Sequence, residues 1–205
     1  IRAMLDPGDE MIIPEPCFVS YKPCAVFAGA KPVVIDLKAE NEFRLTPEEL
    51  EAAITPKTKL VLLTYPNNPT GAVMRKEDLE KIAKVIIDHD LFVLSDEIYS
   101  ELNYASDGPS TSIASLPGMR ERTVVINGFS KAFAMTGWRM GWAAGPSTVI
   151  KQMMKIHQFA IMCPPTMSQY ASIEALRNGL DDVTYMKNEY NGRRKFLLKR
   201  FAEMG

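Results

Sequence analysis

The chain has 205 residues with 24 Lys and Arg against 25 Asp and Glu, a formal net charge of −1, and its composition is 46% hydrophobic and 24% charged. That usage excludes a disordered, collagen-like or fibrous protein, and the length suits one large domain or two small ones with a full core. With near-zero charge, no apolar run near the roughly 18 residues of a membrane span, and no signal-peptide pattern, a cytoplasmic protein is expected, without nucleic acid or membrane as partner.

In chain order, Ile1 to Leu5 reads as the last turn of a helix, closed by Asp6-Pro7-Gly8-Asp9. A start at Ile1 rather than Met leads us to expect a piece excised from a longer chain. Apolar, β-branched runs then predict strands over Met11 to Ile13, Pro32 to Leu37, Lys59 to Thr64, Leu91 to Ser95, Thr123 to Asn127 and Met140 to Ala144. Leu60 to Leu63 and Leu91 to Leu94 are apolar at every residue, which predicts burial on both faces of a sheet. A capping box with Thr46 as cap, Pro47 in the first helical position and Glu49 reaching back opens one helix. Leu79, Ile82, Ala83 and Ile86 recur at helical spacing within Arg75 to His89. After Gly145-Pro146 the pattern is helical through Ser147 to Gln158, Thr166 to Asn178 and Asp181 to Met204. Strands alternating with helices predict an α/β fold with a mostly parallel sheet covered by helices, and nothing marks an internal domain boundary.

Cys17, Cys24 and Cys163 are too few and too scattered for a disulfide framework, and His89 and His157 add no zinc spacing, so the cysteines read as small core residues or incidental thiols. The one basic cluster, Arg193, Arg194, Lys195, Lys199 and Arg200, reads as a solvated helix face.

Three polar clusters follow apolar strands directly: Tyr65-Pro66-Asn67-Asn68-Pro69-Thr70-Gly71, Ser95-Asp96-Glu97-Ile98-Tyr99 and Asn127-Gly128-Phe129-Ser130-Lys131. Taken singly, each has a structural explanation: a turn, a helix cap, a surface lysine. Their shared position at the carboxyl ends of strands, where open α/β sheets bind ligands, argues for one site. Asp, Lys, Tyr, Asn and Arg together suit a ligand with a cationic ring nitrogen, an aldehyde, a phenolic oxygen and a phosphate, and pyridoxal 5'-phosphate (PLP) has all four.

YPNNPTG at 65–71, SDEIY at 95–99 and SKAFAMTGWRMGWAAGP at 130–146 resemble the class I/II aminotransferases, PLP enzymes of fold type I, in wording, order and separation. The wording is most similar to the bacterial and archaeal aspartate, aromatic and N-acetyl-diaminopimelate aminotransferases. The resemblance implies a three-layer αβα sandwich, the large domain of a PLP-dependent transferase. Residues 1–205 would be its central part, without the N-terminal segment and the C-terminal small domain. It also implies amino transfer between an L-amino acid, aspartate-like or related, and a 2-oxo acid, in a homodimer when full length.

By the same resemblance Lys131 forms the Schiff base and then carries the proton, a task that needs its neutral amine. Asp96 pairs with the pyridinium nitrogen, Tyr99 and Asn68 hydrogen-bond the phenolic oxygen, and Asn68 also serves the substrate carboxylate. Arg139 binds the phosphate with Ser130 as a second candidate, and Phe18 stacks on the ring. Gly128 departs from the pattern, since many relatives carry a phosphate-binding serine there. Lacking the phosphate cradle and the carboxylate-binding arginine of the family, the chain alone is expected to transaminate little. A PLP-dependent C–S lyase on the same scaffold, or the PLP-binding domain of a transcription regulator, are the alternatives.

Overall fold

The computed structural model describes residues 1–105 and 110–205. Its strands are β1 (Glu10–Glu15), β2 (Lys31–Asp36), β3 (Thr58–Leu63), β4 (Phe92–Asp96), β5 (Thr123–Gly128) and β6 (Gly141–Ala144). Its helices are α1 (Tyr21–Phe27), α2 (Pro47–Ala53), α3 (Lys76–Asp88), α4 (Ser147–Ala160), α5 (Thr166–Asn178) and α6 (Leu180–Met204). All six predicted strands form, with ends shifted by a residue or two, in one sheet of order β2-β1-β3-β4-β5-β6. Every pairing is parallel except β5 with β6, which is antiparallel.

The two-residue period of a strand sends alternate side chains to opposite faces, and here both faces are covered. Ile12, Val61, Leu63 and Val93 pack against Leu50 of α2 and Leu79, Ile82 and Ile86 of α3. Met11, Ile13, Leu60, Leu62 and Val124 pack on the other side with Leu5 and with Ala25 of α1, joined by Val149 and Met153 of α4. This is the three-layer α/β arrangement. Leu60, Val61 and Leu62 are wholly buried, and each such side chain contributes about 1.5–3 kcal/mol of burial free energy.

The capping box at Thr46 is complete: the Glu49 N–H donates to Thr46 Oγ1 at 3.2 Å and the Thr46 N–H to Glu49 Oε2 at 3.0 Å. The turn at Ile1 to Leu5 closes through Met4 N–H to Ile1 O at 2.9 Å, and Gly8 takes the positive φ of +95° that the following bend needs. α6 runs 25 residues, roughly 37 Å at the usual rise, and its basic cluster is exposed as expected. No helix among the described residues is long and apolar enough to cross a membrane.

Two expectations need correction. The run Leu91 to Leu94 is not buried on both faces throughout, because Phe92 opens β4 at the sheet rim and stays 37% exposed. Of the two readings of the cysteines, only that of incidental thiols stands in full: Cys24 and Cys163 are exposed, Cys17 packs half-buried against the core, and all three are free. Burial, with the Glu15 charge behind it, pushes the Cys17 thiol up to about 11, which keeps it an inert thiol at neutral pH.

Candidate active site

The connections locate the crevice. From β1 the chain crosses through α1 to β2 on one side; through α2 it then returns past β1 to β3 on the other. The winding therefore reverses between β1 and β3, the place where an open sheet gapes at its carboxyl edge. The loops after β1, β3, β4 and β5 all end on that edge. They enclose a cavity of about 230 Å³ lined by Phe18, Tyr21, Thr64, Pro66, Asn68, Asp96, Ile98, Tyr99, Ile126 and Lys131.

Each loop is held by its own residues. After β3, Asn67 does the work of the turn: its Nδ2 donates to Pro16 O at 3.2 Å and Thr64 Oγ1 at 3.0 Å, and its Oδ1 accepts from Thr70 N–H at 3.2 Å and Thr70 Oγ1 at 2.9 Å. Asn67 is thereby buried and Asn68 is left on the cavity wall. After β5, Phe129, Ala132 and Met135 are buried and pin the loop, and between them Lys131 lines the cavity with its Nζ 5.6 Å from the centre of the Tyr99 ring.

Gly128 has a steric reason. It pairs with Gly141, and a Cβ at 128 would stand 3.0 Å from both Gly141 Cα and the Met140 carbonyl oxygen. A serine here requires β5 and β6 to give by a few tenths of an ångström, so glycine follows from the close approach of the two backbones.

Asp96 ends β4 beside Ile126 of β5. Its Oδ1 accepts from the Ile98 N–H at 3.1 Å, and its Oδ2 accepts from the Tyr21 hydroxyl at 2.7 Å. Burial first, and then the Asp96 charge, hold the Tyr21 phenol far above the ordinary tyrosine range, so it stays a donor.

The neighbouring Glu97 points away from the cavity and is 9% exposed. Ser95 Oγ donates to its Oε1 at 2.8 Å and Ser112 Oγ to the same atom at 2.7 Å. Burial raises its pKa against the pull of those two bonds, with the Asp96 charge adding to the rise. A folded-state pKa above the unfolded one contributes stability only at low pH, and the contribution is lost as pH climbs from about 4.5 through the folded value. Because one oxygen accepts both bonds, glutamine satisfies the serines without the buried charge. Glu97→Gln is therefore expected to be at least as stable as wild type at pH 7 and to lose this downward slope. Urea midpoints at several pH values check it, and a lower midpoint for the variant at pH 7 would refute it.

Of the sequence candidates, Lys131, Asp96, Tyr99, Asn68 and Phe18 meet around the one cavity. Arg139 and Ser130 do not line it. Arg139 follows the turn Thr136–Trp138 with φ 52°, a left-handed conformation that L-residues other than glycine enter at a cost of about 1–2 kcal/mol, and its Nη1 donates to Thr136 O at 2.9 Å. The Ser130 carbonyl accepts from Thr136 Oγ1 at 3.0 Å, which ties the lysine loop to that turn. Tyr21, Thr64 and Ile126 line the cavity without being among the sequence candidates, and of these Tyr21 carries the hydrogen bond to Asp96. The signal available for it is its spacing, three residues after Phe18 on the segment that leaves β1. A larger groove of about 760 Å³ at the other end of β5, lined by Ser112, Arg120, Thr123 and Pro146 among others, has no comparable amine, carboxylate and phenol facing one another.

The fold and the strand-end site together define a doubly wound α/β protein with an amine, a carboxylate and a phenol converging at the switch point. The family model for aminotransferase class I and II matches residues 1–205, and the chain belongs to that family. An aspartate aminotransferase of Pyrococcus abyssi is 49% identical over 207 residues, covering 100% of this chain and 53% of the relative. An aromatic-amino-acid aminotransferase of Thermococcus litoralis is 48% identical over 208 residues, with the same shares of 100% and 53%. The crystal structure of an aromatic aminotransferase from Pyrococcus horikoshii superposes with a TM-score of 0.95 at 48% identity, covering 100% of this chain and 55% of that one. The chain spans about half the length of the curated relatives it matches.

The family uses PLP, and the residues present fit that group. Each Asp96 oxygen accepts one hydrogen bond and keeps a lone pair for a cationic N–H, as a carboxylate with about four acceptor positions allows. Lys131 supplies an amine to the same cavity, and Phe18, 46% exposed, lines it as well.

Proposed function

We propose that this chain is the central, cofactor-binding part of a PLP-dependent aminotransferase that moves an amino group between an L-amino acid, aspartate-like or related, and a 2-oxo acid. The observation that carries the reading is the convergence of Lys131, Asp96, Tyr99 and Asn68 on one cavity at the carboxyl ends of β3, β4 and β5. PLP, when bound, supplies the electron sink that lets the α-proton of an amino acid be removed.

The chain's own residues do the rest. Lys131 would hold the cofactor through its amine and would carry the proton to and from the α-carbon. Asp96 holds a proton on the ring nitrogen through a charge-assisted bond. Tyr99 and Asn68 donate to the phenolic oxygen, and Asn68 also reaches the substrate carboxylate. Phe18 would stack on the ring, and Arg139, with Ser130 as a second candidate, would bind the phosphate from outside the described cavity wall. The left-handed backbone at Arg139 is consistent with a residue held in place for a ligand. A homodimer in the cytoplasm is part of this proposal and rests on the family reading.

The test is product analysis with the full-length protein that carries this segment, loaded with PLP and given L-aspartate or an aromatic amino acid and 2-oxoglutarate. Glutamate and the matching 2-oxo acid are expected in equal amounts. Pyruvate and ammonia from a cysteine conjugate, with no amino transfer, would replace this reading with the lyase.

A further inference from the structure

The last pair of the ladder between β4 and β5 is Asp96 with Ile126, after which Glu97 N–H donates to Ile126 O at 2.8 Å. One residue further along β5, the Asn127 side chain continues the tie. Its Nδ2 donates to Ser100 Oγ at 3.2 Å, 27 residues back in the chain, and its Oδ1 accepts from the Gly128 N–H at 2.7 Å. A backbone N–H can only donate, so the amide has one orientation, with its NH2 toward the serine. The base of this arm is stiff as well. Asn127 pairs with Trp142, and the next pair, Gly128 with Gly141, brings two backbones so close that a Cβ at 128 would stand 3.0 Å from Gly141 Cα.

Ser100, 8% exposed, begins the tight turn that follows Tyr99: its N–H donates to Glu97 O at 2.9 Å, and the Leu102 N–H donates to Tyr99 O at 2.9 Å. Asn127 therefore joins two loops. One carries Tyr99, next to the serine, and the other carries Lys131, and both of these line the cavity with Nζ 5.6 Å from the ring centre. The phenol oxygen lies at the far end of a rigid ring, so a small tilt of the backbone at Tyr99 is magnified at the hydroxyl. A hydrogen bond weakens steeply as its angle opens.

Resting on the PLP reading above, we propose that Asn127 is a positioning residue: through Ser100 it fixes the turn that carries Tyr99 against the loop that carries Lys131, and so holds the Tyr99 hydroxyl as a donor to the cofactor's phenolic oxygen. Asn127 is not on the cavity wall, and its effect passes through Tyr99. A donor aligned on an ionised oxygen stabilises the charge and weakens that oxygen's hold on a neighbouring proton. A slack Tyr99 therefore raises the pH at which the visible band of the bound cofactor changes.

The experiment takes the full-length protein that carries this segment, loads it with PLP, and follows the visible band against pH. Wild type, Asn127→Ala, Ser100→Ala, Tyr99→Phe and the double variants of Asn127→Ala with each of the other two are compared, with thermal midpoints for all. Asp96, Tyr21 and Lys131, the other titratable groups of the cavity, are the same in every protein. Asn127→Ala is expected to raise the pH midpoint of the band by about half a unit to one unit, the equivalent of one neutral hydrogen bond. Ser100→Ala removes the same bond from its other end, leaves the Gly128 N–H its acceptor, and is expected to give the same shift. Losing both partners adds nothing further, and in the Tyr99→Phe background Asn127→Ala changes nothing.

A shift that persists without the Tyr99 hydroxyl, or that adds when both partners are removed, would mean that the two residues act by other routes and would overturn the proposal. Lower thermal midpoints with an unmoved band would assign the pair to stability alone and sink it equally, as would a Tyr99→Phe protein that titrates like wild type. If Asn127→Ala does not fold, Ser100→Ala decides by itself. When wild type shows the band and Ser100→Ala is indistinguishable from it, this inference fails alone; a wild type with no visible band removes the cofactor reading, and this inference with it.

Discussion

Replacing Lys131 with alanine in the full-length protein that carries this segment is expected to abolish the visible band that PLP develops and to lower amino transfer by about a thousandfold, within the range that positioned general bases contribute. Two losses combine. On the proposed roles, the amine that would attach the cofactor is gone, and so is the group that would carry the proton between substrate and cofactor. The effect belongs to the amine, not to the loop. Phe129, Ala132 and Met135 provide the burial that seats residues 129–135, and none of them depends on Lys131. The variant should therefore unfold at the wild-type temperature while binding PLP only reversibly. Absorbance and single-turnover measurements on the same preparation decide the matter. A variant that still develops the band would mean that another amine serves, and the assignment of Lys131 would fall.

Asp96→Asn carries the second large effect. A hydrogen bond to a charged group contributes about 1.5–3 kcal/mol, so the loss of the carboxylate should weaken PLP binding roughly ten- to hundredfold. Turnover should fall further, by about three orders of magnitude, because an amide does not favour the protonated ring nitrogen and the electron sink weakens in the step that needs it. The shape of the site is preserved: the asparagine oxygen still accepts from Tyr21 or from the Ile98 N–H. A large drop in kcat with a modest change in PLP affinity is the expected signature. Equal losses in both would show that Asp96 only holds the cofactor in place.

Much of this was legible in the residues. The run Leu60 to Leu63 has no face to give to water, and the sheet buries it on both sides. Thr46, Pro47 and Glu49 carry a local hydrogen-bond code, which the chain executes without outside help. The polar clusters after β3, β4 and β5 announced a site because strands that end in polar residues have only the sheet edge on which to put them.

What stayed hidden is non-local. α1 is seven residues with Pro23 in its first turn and only Ala25 buried, so it has too little apolar period to read. Tyr21 gains its meaning from Asp96, 75 residues away in the chain, and no local pattern encodes that pairing. Asn67 and Asn68 are chemically identical neighbours, and only the turn geometry gives one to the backbone and the other to the cavity. Phe92 matches its buried neighbours in character and differs only in standing at the rim.

The crevice draws its walls from the ends of four strands, β1, β3, β4 and β5, whose pairing is wholly parallel and hence distant in sequence. Contacts of that kind form late and slowly, since long loops must close before any of them is made. A molecule that touches Phe18, Asn68, Asp96 and Lys131 at once recognises only the finished sheet and acts as a clasp across it. Such a ligand shifts the folding equilibrium by mass action, by about 2.7 kcal/mol at a hundredfold excess over its Kd. A cofactor held as proposed would thus also guard the centre of the fold against opening.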